Sequence, residues 1–417
     1  MRRLRSPILA IFSLLLASNV SEAAPAFSGD AARGHYLAVL GDCAGCHTRS
    51  GGAPFTGGQP FKSGFGTVYS TNITSDPQTG IGGWTQAQFY RALHDGIAAD
   101  GTHLYPAFPY IYFRRLSRQD TDDLFAYLHT LQPVHRNPSP NRLAFPFNIR
   151  AMMVFWNWLF RPADGYKPDG TSNKPHSASW KRGEFLVNGP GHCAACHTPK
   201  NMLFGDVSGQ ALTGATVSHW FAANLTSAQQ GGLGKWSLED VRTYLRTGRN
   251  RYATAAGTMQ EKVSSSTSHM TNNDQLAIAT YLKSLSANGL SGDAAKPDAQ
   301  QMKAGDAVFV QHCEVCHQPP QKVDALNKDA PLPDYPQLGG DTLVLGRDPT
   351  TVLRVILEGA EAPDTPGKAS GYSMPSFATL SDQQVADVAT YIRASWGNQA
   401  SPVTADTVTT LRDAIQR

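Results

Sequence analysis

A cysteine pair followed by a histidine occurs three times in this 417-residue chain, always as Cys-x-x-Cys-His. The copies lie at residues 43–47, 193–197 and 313–317, and together they contain all six cysteines. Two thiols at this spacing can add to the vinyl groups of a porphyrin, and the adjoining histidine then binds the iron. The pattern predicts three covalently bound haems c, attached through Cys43, Cys46, Cys193, Cys196, Cys313 and Cys316 and ligated by His47, His197 and His317.

A zinc site and a redox disulfide are the other interpretations of a Cys-x-x-Cys pair. A structural zinc site needs four nitrogen or sulfur ligands, and no cysteine remains outside the three motifs. A disulfide requires no histidine after it, and histidine makes up only 13 of the 417 residues. Haem attachment is therefore the favoured interpretation.

The N terminus has the pattern of a secretory signal peptide. Arg2, Arg3 and Arg5 precede a short apolar run at residues 8–17, and small residues follow. The run is shorter than the roughly 20 residues that span a bilayer. Residues 1–26 are predicted to direct export to the periplasm and to be removed; an uncleaved anchor helix is the alternative.

Charge and hydropathy exclude some classes of protein. The formal net charge is +3, and no basic cluster is interleaved with aromatic residues, so a nucleic-acid partner is not expected. The most apolar later segment, residues 151–160, is short. We expect it to pack in the core or to lie at a membrane surface or subunit interface.

Helical patterns repeat around the three motifs. A glycine-led helix precedes each motif, and a second helix follows downstream, opening at Ser117, Thr271 and Ser381 with an acid or amide three residues later. A tyrosine lies ten residues after each of these caps. The repeat predicts an all-α fold of three tandem class I cytochrome c domains. Their predicted bounds are 27–165, 175–290 and 298–400, and residues 401–417 are expected to form a polar tail, weakly helical at best.

The first two units share further residues that the third lacks. Asn72 corresponds to Asn224 in an Asn-aliphatic-Thr block, and Trp84 corresponds to Trp236 just before a helix. Two roles remain open for these side chains at this point: hydrogen bonds to haem propionates, or packing alone.

A methionine thioether opposite the histidine would give a six-coordinate electron carrier of raised potential. Met259 and Met374 lie at similar distances after His197 and His317, in loops rich in small residues, and are the predicted distal ligands. The alternative is that either fills space in the core. Met270 is the rival in the second unit, although it adjoins a helix cap.

The first unit departs from this pattern. Phe108, whose ring cannot ligate iron, stands at the corresponding distance from His47. Met153 is the favoured ligand of the first haem. The alternatives are Met152, a site that is open, or one that is ligated by a histidine such as His94 or His103.

The ordered motifs resemble one family over nearly the whole mature chain. The motifs, the Asn72-Ile73-Thr74 block, the loop at residues 105–110 and the segment at residues 146–150 together resemble the triple-haem cytochrome c subunit of bacterial periplasmic dehydrogenases for alcohols, gluconate, sorbitol or fructose. The resemblance implies distal roles for Met259 and Met374. Members commonly carry methionine where this chain has Phe108, so it does not supply the first haem's ligand.

The resemblance also implies a function. Such a subunit is not an enzyme by itself: it takes electrons from a dehydrogenase subunit that carries a flavin, pyrroloquinoline quinone or a molybdenum cofactor. It passes them to ubiquinone or a terminal oxidase at the outer face of the cytoplasmic membrane, with peripheral membrane attachment. The alternatives are a multihaem peroxidase using an open first haem, and a soluble shuttle or haem sensor.

Overall fold

The computed structural model describes residues 28–161, 176–288, 295–317, 335–366 and 373–416. The predicted signal peptide and the predicted boundaries at 165, 175 and 290 lie outside these residues. The described helices are α1 (Ala31–Leu40), α2 (Cys43–His47), α3 (Gln86–Asp95), α4 (Tyr110–Phe113), α5 (Arg118–His129), α6 (Met152–Phe160), α7 (Ala178–Asn188), α8 (Ala194–His197), α9 (Leu238–Thr247), α10 (Thr258–Ser265), a 3₁₀ turn (Thr267–His269), α11 (Asn272–Ser284), α12 (Ala299–His312), α13 (Thr350–Glu358), α14 (Asp382–Ala394) and α15 (Ala405–Gln416).

Three small antiparallel sheets accompany the helices, and the all-α prediction omitted them. One sheet orders its strands β1-β2-β3, and the other two are pairs, β4-β5 and β6-β7. The strands are β1 (Pro60–Ser63), β2 (Gly66–Tyr69), β3 (Arg142–Leu143), β4 (Ala215–Val217), β5 (Trp220–Ala222), β6 (Ala360–Glu361) and β7 (Ser373–Met374). Each strand has two to four residues, so the sheets fix loops around a helical framework.

Three helix pairs form that framework: α1 with α5, α7 with α11, and α12 with α14. Each pair crosses at a glycine of the first helix, where a Cβ atom would overlap a carbonyl oxygen of the second helix. The Cβ of the predicted repeat tyrosine also lies at this point. Glycine is needed because only a residue without a side chain lets the two backbones approach this closely. The glycine–carbonyl–tyrosine sets are Gly34, Asp123 and Tyr127; Gly183, Ala277 and Tyr281; and Gly305, Asp387 and Tyr391.

The predicted caps begin the second helix of each pair. Ser117 with Asp120 and Ser381 with Gln384 form complete capping boxes, in which side chain and backbone bond reciprocally. Thr271 accepts from the backbone N–H of Asp274, but the return bond is missing. Asp274 instead accepts two hydrogen bonds from Arg182, at 2.8 and 2.7 Å.

Buried apolar side chains form two large cores. One continuous core contains residues of both the first and the second unit, from Leu37 to Leu282. The third unit has a separate core, from Val308 to Leu411. The first two repeats therefore share their interior, which the sequence repeat alone did not indicate.

The C-terminal segment differs from the expected polar tail. Residues 405–416 form the helix α15, which packs against α14. Val408 and Leu411 lie on its buried face in the third core. These apolar side chains, three residues apart, stabilise a helix that otherwise contains mostly polar residues.

Candidate haem-attachment sites

The three motifs follow directly on the first helix of each crossing pair. The first motif is the short helix α2, and the second lies in and just before α8. The third occupies the turn after α12, with the N–H of Cys313 bonded to the carbonyl of Phe309. The helix crossing thus positions each cysteine pair at the edge of a core, and Cys43, Cys193 and Cys313 pack against those cores.

Each motif histidine makes the same bond to the backbone. Nδ1 lies within hydrogen-bond distance of one carbonyl oxygen: Thr71 for His47 at 2.7 Å, Ala223 for His197 at 2.6 Å and Pro336 for His317 at 3.0 Å. A carbonyl can only accept, so Nδ1 carries the proton and Nε2 keeps its lone pair for a metal. This geometry fits a haem iron at each motif.

Burial keeps these imidazoles neutral. It lowers the pKa of His47, His197 and His317, while the hydrogen bond to the carbonyl raises the pKa in part. A neutral imidazole is the form that binds a metal. The environment therefore favours the ligating state over the imidazolium.

The thiols are half-buried, except for that of the exposed Cys196, and they are not paired with one another. None of the six cysteines forms a disulfide. Burial raises the pKa of Cys43 and Cys46 to about 12 and that of Cys193 and Cys313 to about 11. Within the described part of the chain, no group of three or more His, Cys, Asp or Glu side chains is arranged to hold a metal ion.

The predicted distal methionines of the second and third units lie in different elements. Met259 is the second residue of α10 and is half-buried. Met374 lies in β7, opposite Ala360 of β6, and packs against the third core. The rival Met270 is buried in the core of the first two units, as expected for a packing residue.

Around the first motif, Met153 and Phe108 lie in one cluster. Met153 is buried with Tyr110 and Trp156, and Phe108 packs against this group as well as against the core. Met152, the neighbouring alternative, is 41% exposed. The structure therefore brings Met153 to the Phe108 side of the unit and turns Met152 away.

The two candidate histidines near the first haem already have polar partners. His94 Nε2 donates to the carbonyl of Leu116 at 2.7 Å, and the ring stacks on Tyr90. His103 Nδ1 lies 3.4 Å from the side-chain amide of Asn157.

Three of the four side chains for which two roles were open have polar protein partners, and the fourth, Trp84, packs against the first core. The Asn72 amide donates to the carbonyl of Val134 at 2.8 Å, and the Asn224 amide donates to that of Asn288 at 2.7 Å. Trp236 donates to the hydroxyl of Thr342 at 3.1 Å. These bonds favour a structural role over contact with propionates.

Sequence reasoning missed a charged group between the first two motifs. The ammonium of Lys262 on α10 is buried, donates no hydrogen bond within the described part of the chain, and lies 3.6 Å from the carboxylate of Asp42. Its charge acts on the thiols of both the first and the second motif. It also acts with burial to lower the pKa of His192 to about 3. No repeat or motif marks this lysine in the sequence.

Comparison with known proteins places this geometry in a family. The cytochrome c family matches residues 31–132 and 302–396. The chain is 39% identical to the gluconate 2-dehydrogenase cytochrome c subunit of Pantoea cypripedii, over 91% of this chain and 89% of that protein. The chain belongs to the family of dehydrogenase cytochrome c subunits.

Two further relatives carry related names. The cytochrome c subunit of the quinone alcohol dehydrogenase of Gluconobacter oxydans is 38% identical, over 88% of this chain and 79% of that protein. The fructose dehydrogenase cytochrome subunit of Gluconobacter japonicus is 36% identical, over 91% and 82%. The chain is thus an electron-transfer subunit with covalently bound haem c and a dehydrogenase partner, and is not itself the catalytic subunit.

Proposed function

We propose that this subunit carries three haems c and passes electrons from a dehydrogenase catalytic subunit to ubiquinone or a terminal oxidase. The partner would contain a flavin, pyrroloquinoline quinone or a molybdenum cofactor, and the complex would work in the periplasm at the outer face of the cytoplasmic membrane. The observation that carries the proposal is the repeated geometry of His47, His197 and His317, each with Nδ1 at a backbone carbonyl.

The protein's own residues hold and tune three redox sites. Bound haem supplies reversible one-electron chemistry at iron. The cysteine pairs anchor each site to its helix crossing, and the histidines present Nε2. Met259 and Met374 are the proposed distal ligands of the second and third sites, and Met153 is the proposed ligand of the first.

Two measurements on the purified holoprotein test this function. Intact mass is expected to show three haems, and electrons from the dehydrogenase are expected to reach a quinone only when this subunit is present. Dehydrogenase activity with an artificial acceptor should persist without it. Quinone reduction that continues undiminished without the subunit would refute the proposal, and a mass with fewer haems would refute the triple-haem assignment.

The ligand of the first haem needs its own test. Met153→Leu in the full chain keeps side-chain volume but removes the sulfur. We expect it to abolish one of the Met–iron absorption signals, while the exposed Met152→Leu control leaves all of them. Signals that survive in the Met153 variant would exclude this ligand, and strong cyanide binding to the unchanged protein would instead favour the open site of a peroxidase.

A further inference from the structure

The helix α6 is apolar on every side, yet only one side is covered. Met153, Trp156 and Asn157 face the body of the protein, and Phe160 is half-buried. The remaining side chains are apolar and exposed; they are Met152, Val154, Phe155, Trp158 and Leu159. A helix that is apolar all round is normally covered on all sides, because exposed apolar area is costly in water.

Two neighbouring segments extend this surface. The Trp156 indole donates to the carbonyl of Leu203 at 2.7 Å, which holds the exposed residues 202–204 beside α6. The Phe65 ring connects this segment with residues 145–149: it contacts Phe204 and Phe147, with ring centroids 5.1 and 4.0 Å away. We define the apolar face as the exposed side chains of α6 together with Phe145, Ile149, Met202, Leu203 and Phe204.

The face projects outward and offers few polar groups. Phe145 is 79% exposed, Trp158 76% and Met202 91%, so these side chains protrude from the surface. Interfaces between proteins usually carry about one hydrogen bond per 100–200 Å². The exposed residues of α6 contain only one polar group, the Trp158 indole N–H, which suits the headgroup level of a bilayer.

Charges around the face are basic. Residues 124–163 contain four arginines and no acidic residue. Arg142 is exposed in β3, and Arg150 and Arg161 lie at the two ends of α6. Asp95 forms an ion pair with Arg161 and Asp206 forms one with Lys200, and Asp100 interacts electrostatically with Arg150. The exposed Arg142 is therefore the main basic group of this border. An apolar face with a basic border is complementary to a bilayer with anionic headgroups.

From this geometry we propose that the apolar face docks on the surface of an anionic lipid bilayer, with α6 lying in the plane of the interface. At nine residues, α6 is too short to cross a bilayer. The docking would orient the first unit toward the lipid, because the covered side of α6 packs on Tyr110 in that unit. The inference rests on the membrane-side role proposed above and adds the surface that provides it.

Co-sedimentation with vesicles tests the docking. The mature holoprotein, with loss of the leader verified by intact mass, is mixed with phosphatidylcholine vesicles with and without phosphatidylglycerol. We expect binding that is stronger with phosphatidylglycerol, and a drop of about tenfold or more in partitioning for Phe155→Ser combined with Trp158→Ser. Met202→Ser should give a smaller drop, and Arg142→Gln should weaken binding only to the anionic vesicles.

A control replaces two exposed, though less protruding, apolar side chains elsewhere on the protein. Leu238 and Leu276 are 41% and 40% exposed on the second unit, and changing both to serine should leave vesicle binding unchanged. Haem spectra identical to wild type show that each variant is folded. Wild type that fails to bind vesicles, or a Phe155/Trp158 variant that binds like wild type, would overturn the proposal. If the Phe155/Trp158 variant binds vesicles like wild type but no longer co-purifies with the dehydrogenase subunit, the apolar face would be assigned to that partner instead.

Electron transfer is measured separately, in detergent solution. Reduction of the haems by the dehydrogenase should be the same for the Phe155/Trp158 variant and for wild type. Failure of wild type in this assay would refute the electron-transfer role and leave the vesicle result standing. Failure in the vesicle assay alone would refute only the docking surface.

Discussion

A histidine whose Nδ1 proton points at a backbone carbonyl can offer only Nε2 to a metal, and three histidines of this chain share that arrangement. The carbonyls belong to loops that follow each motif, at Thr71, Ala223 and Pro336. These second-layer contacts fix the tautomer and the orientation of each proposed ligand. The three sites differ on the side of the proposed haem that is opposite the motif histidine.

If Met259 and Met374 are the distal ligands, as proposed, their thioethers should set the potentials of the haems at the second and third motifs. A thioether favours the reduced iron, so Met374→Ala or Met259→Ala should lower one haem's potential by on the order of 0.1 V, a fraction of the roughly 0.8 V that axial ligands span. Redox titration of the holoprotein measures this. Met270→Leu is the control, because Met270 is a buried packing residue and the change conserves volume. An unaltered titration in the Met259 variant would return Met259 to a packing role.

Lys262 should raise the potential of a haem in the first or second site. Its buried charge acts on both motifs, and a positive charge stabilises the electron-richer reduced state. Lys262→Gln should therefore lower at least one of these potentials by on the order of 50 mV. Lys303→Gln, at an exposed position on α12, serves as the control for loss of one positive charge. Equal titration curves for the two variants would show that Lys262 has only a structural role.

Asp341 should make stability depend on pH. Burial raises the pKa of this carboxyl to about 7, although the backbone N–H groups of Leu343 and Val344 lower it in part. The unfolded chain ionises near its ordinary pKa while the folded chain keeps the proton, so the folded state loses stability as pH rises from about 4 to 7. Its neighbour Tyr244, with a pKa well above its ordinary value, stays neutral in this range.

Asp341→Asn removes this titration and keeps an oxygen that can accept both backbone bonds. Chemical unfolding of the variant and wild type should give similar free energies near pH 4 and a difference that grows toward pH 8. The difference is a few kcal/mol at most, at about 1.4 kcal/mol per pKa unit. If the free energies of unfolding of the variant and of wild type differ by the same amount at every pH in this range, burial does not raise the pKa of Asp341 as described.

At the scale of elements, the glycine crossings organise each unit. A Cβ at Gly305 would overlap the carbonyl oxygen of Asp387, so α12 and α14 would have to separate. Gly305→Ala should destabilise the third unit by about 1–3 kcal/mol, measured by thermal unfolding of the holoprotein. Gly64→Ala is the control, since a Cβ there meets no atom within 4 Å. A Gly305 variant as stable as this control would show that the crossing can adjust.

The helix pairs could be predicted from the sequence where the same type of residue makes the same contact in every unit. The glycines and the tyrosines could be located in advance because they meet at one crossing in every unit, and the capping hydroxyls because they begin the second helix of each pair. Asp274 could not be predicted to lack its return bond, since its partner Arg182 lies in another helix. The helix α15 was missed because its few apolar residues gain stability only from the third core.

The repeat contained one further signal that sequence reasoning passed over. Two residues after each tyrosine stands a basic or imidazole side chain that bonds to backbone carbonyls. Lys283 donates to Leu233 and Gly234, at 2.6 and 3.1 Å. Arg393, almost fully buried, donates to the carbonyls of Val344 and Ser401, at 2.9 and 3.0 Å. In the first unit His129 bonds to Phe125. Different residue types at one position hid this shared role.

At the scale of the whole molecule, contacts between units are unequal. The first two units share a core, and Arg115 on one forms a two-pronged ion pair with Glu184 on the other, at 2.5 and 2.7 Å. The Tyr36 hydroxyl also donates to Asp274 at 2.8 Å. The third unit meets the second through polar bonds, as between Thr351 and the backbone of Phe221, at 2.8 and 3.0 Å. The molecule is therefore organised as a pair of units plus one.

This organisation predicts two cooperative unfolding transitions rather than three. Enthalpy scales with the number of residues that unfold, so the transition of the first two units should carry roughly twice the enthalpy of the other. In calorimetry of the holoprotein, Gly183→Ala should lower the midpoint of the larger transition and Gly305→Ala that of the smaller one. Because Gly183 lies against Ala277 and Tyr281 of the shared core, its substitution should also disturb the proposed ligands of the first and second haems together. Three transitions of similar size, or a Gly183 variant that alters only one haem, would show that each unit is stable by itself.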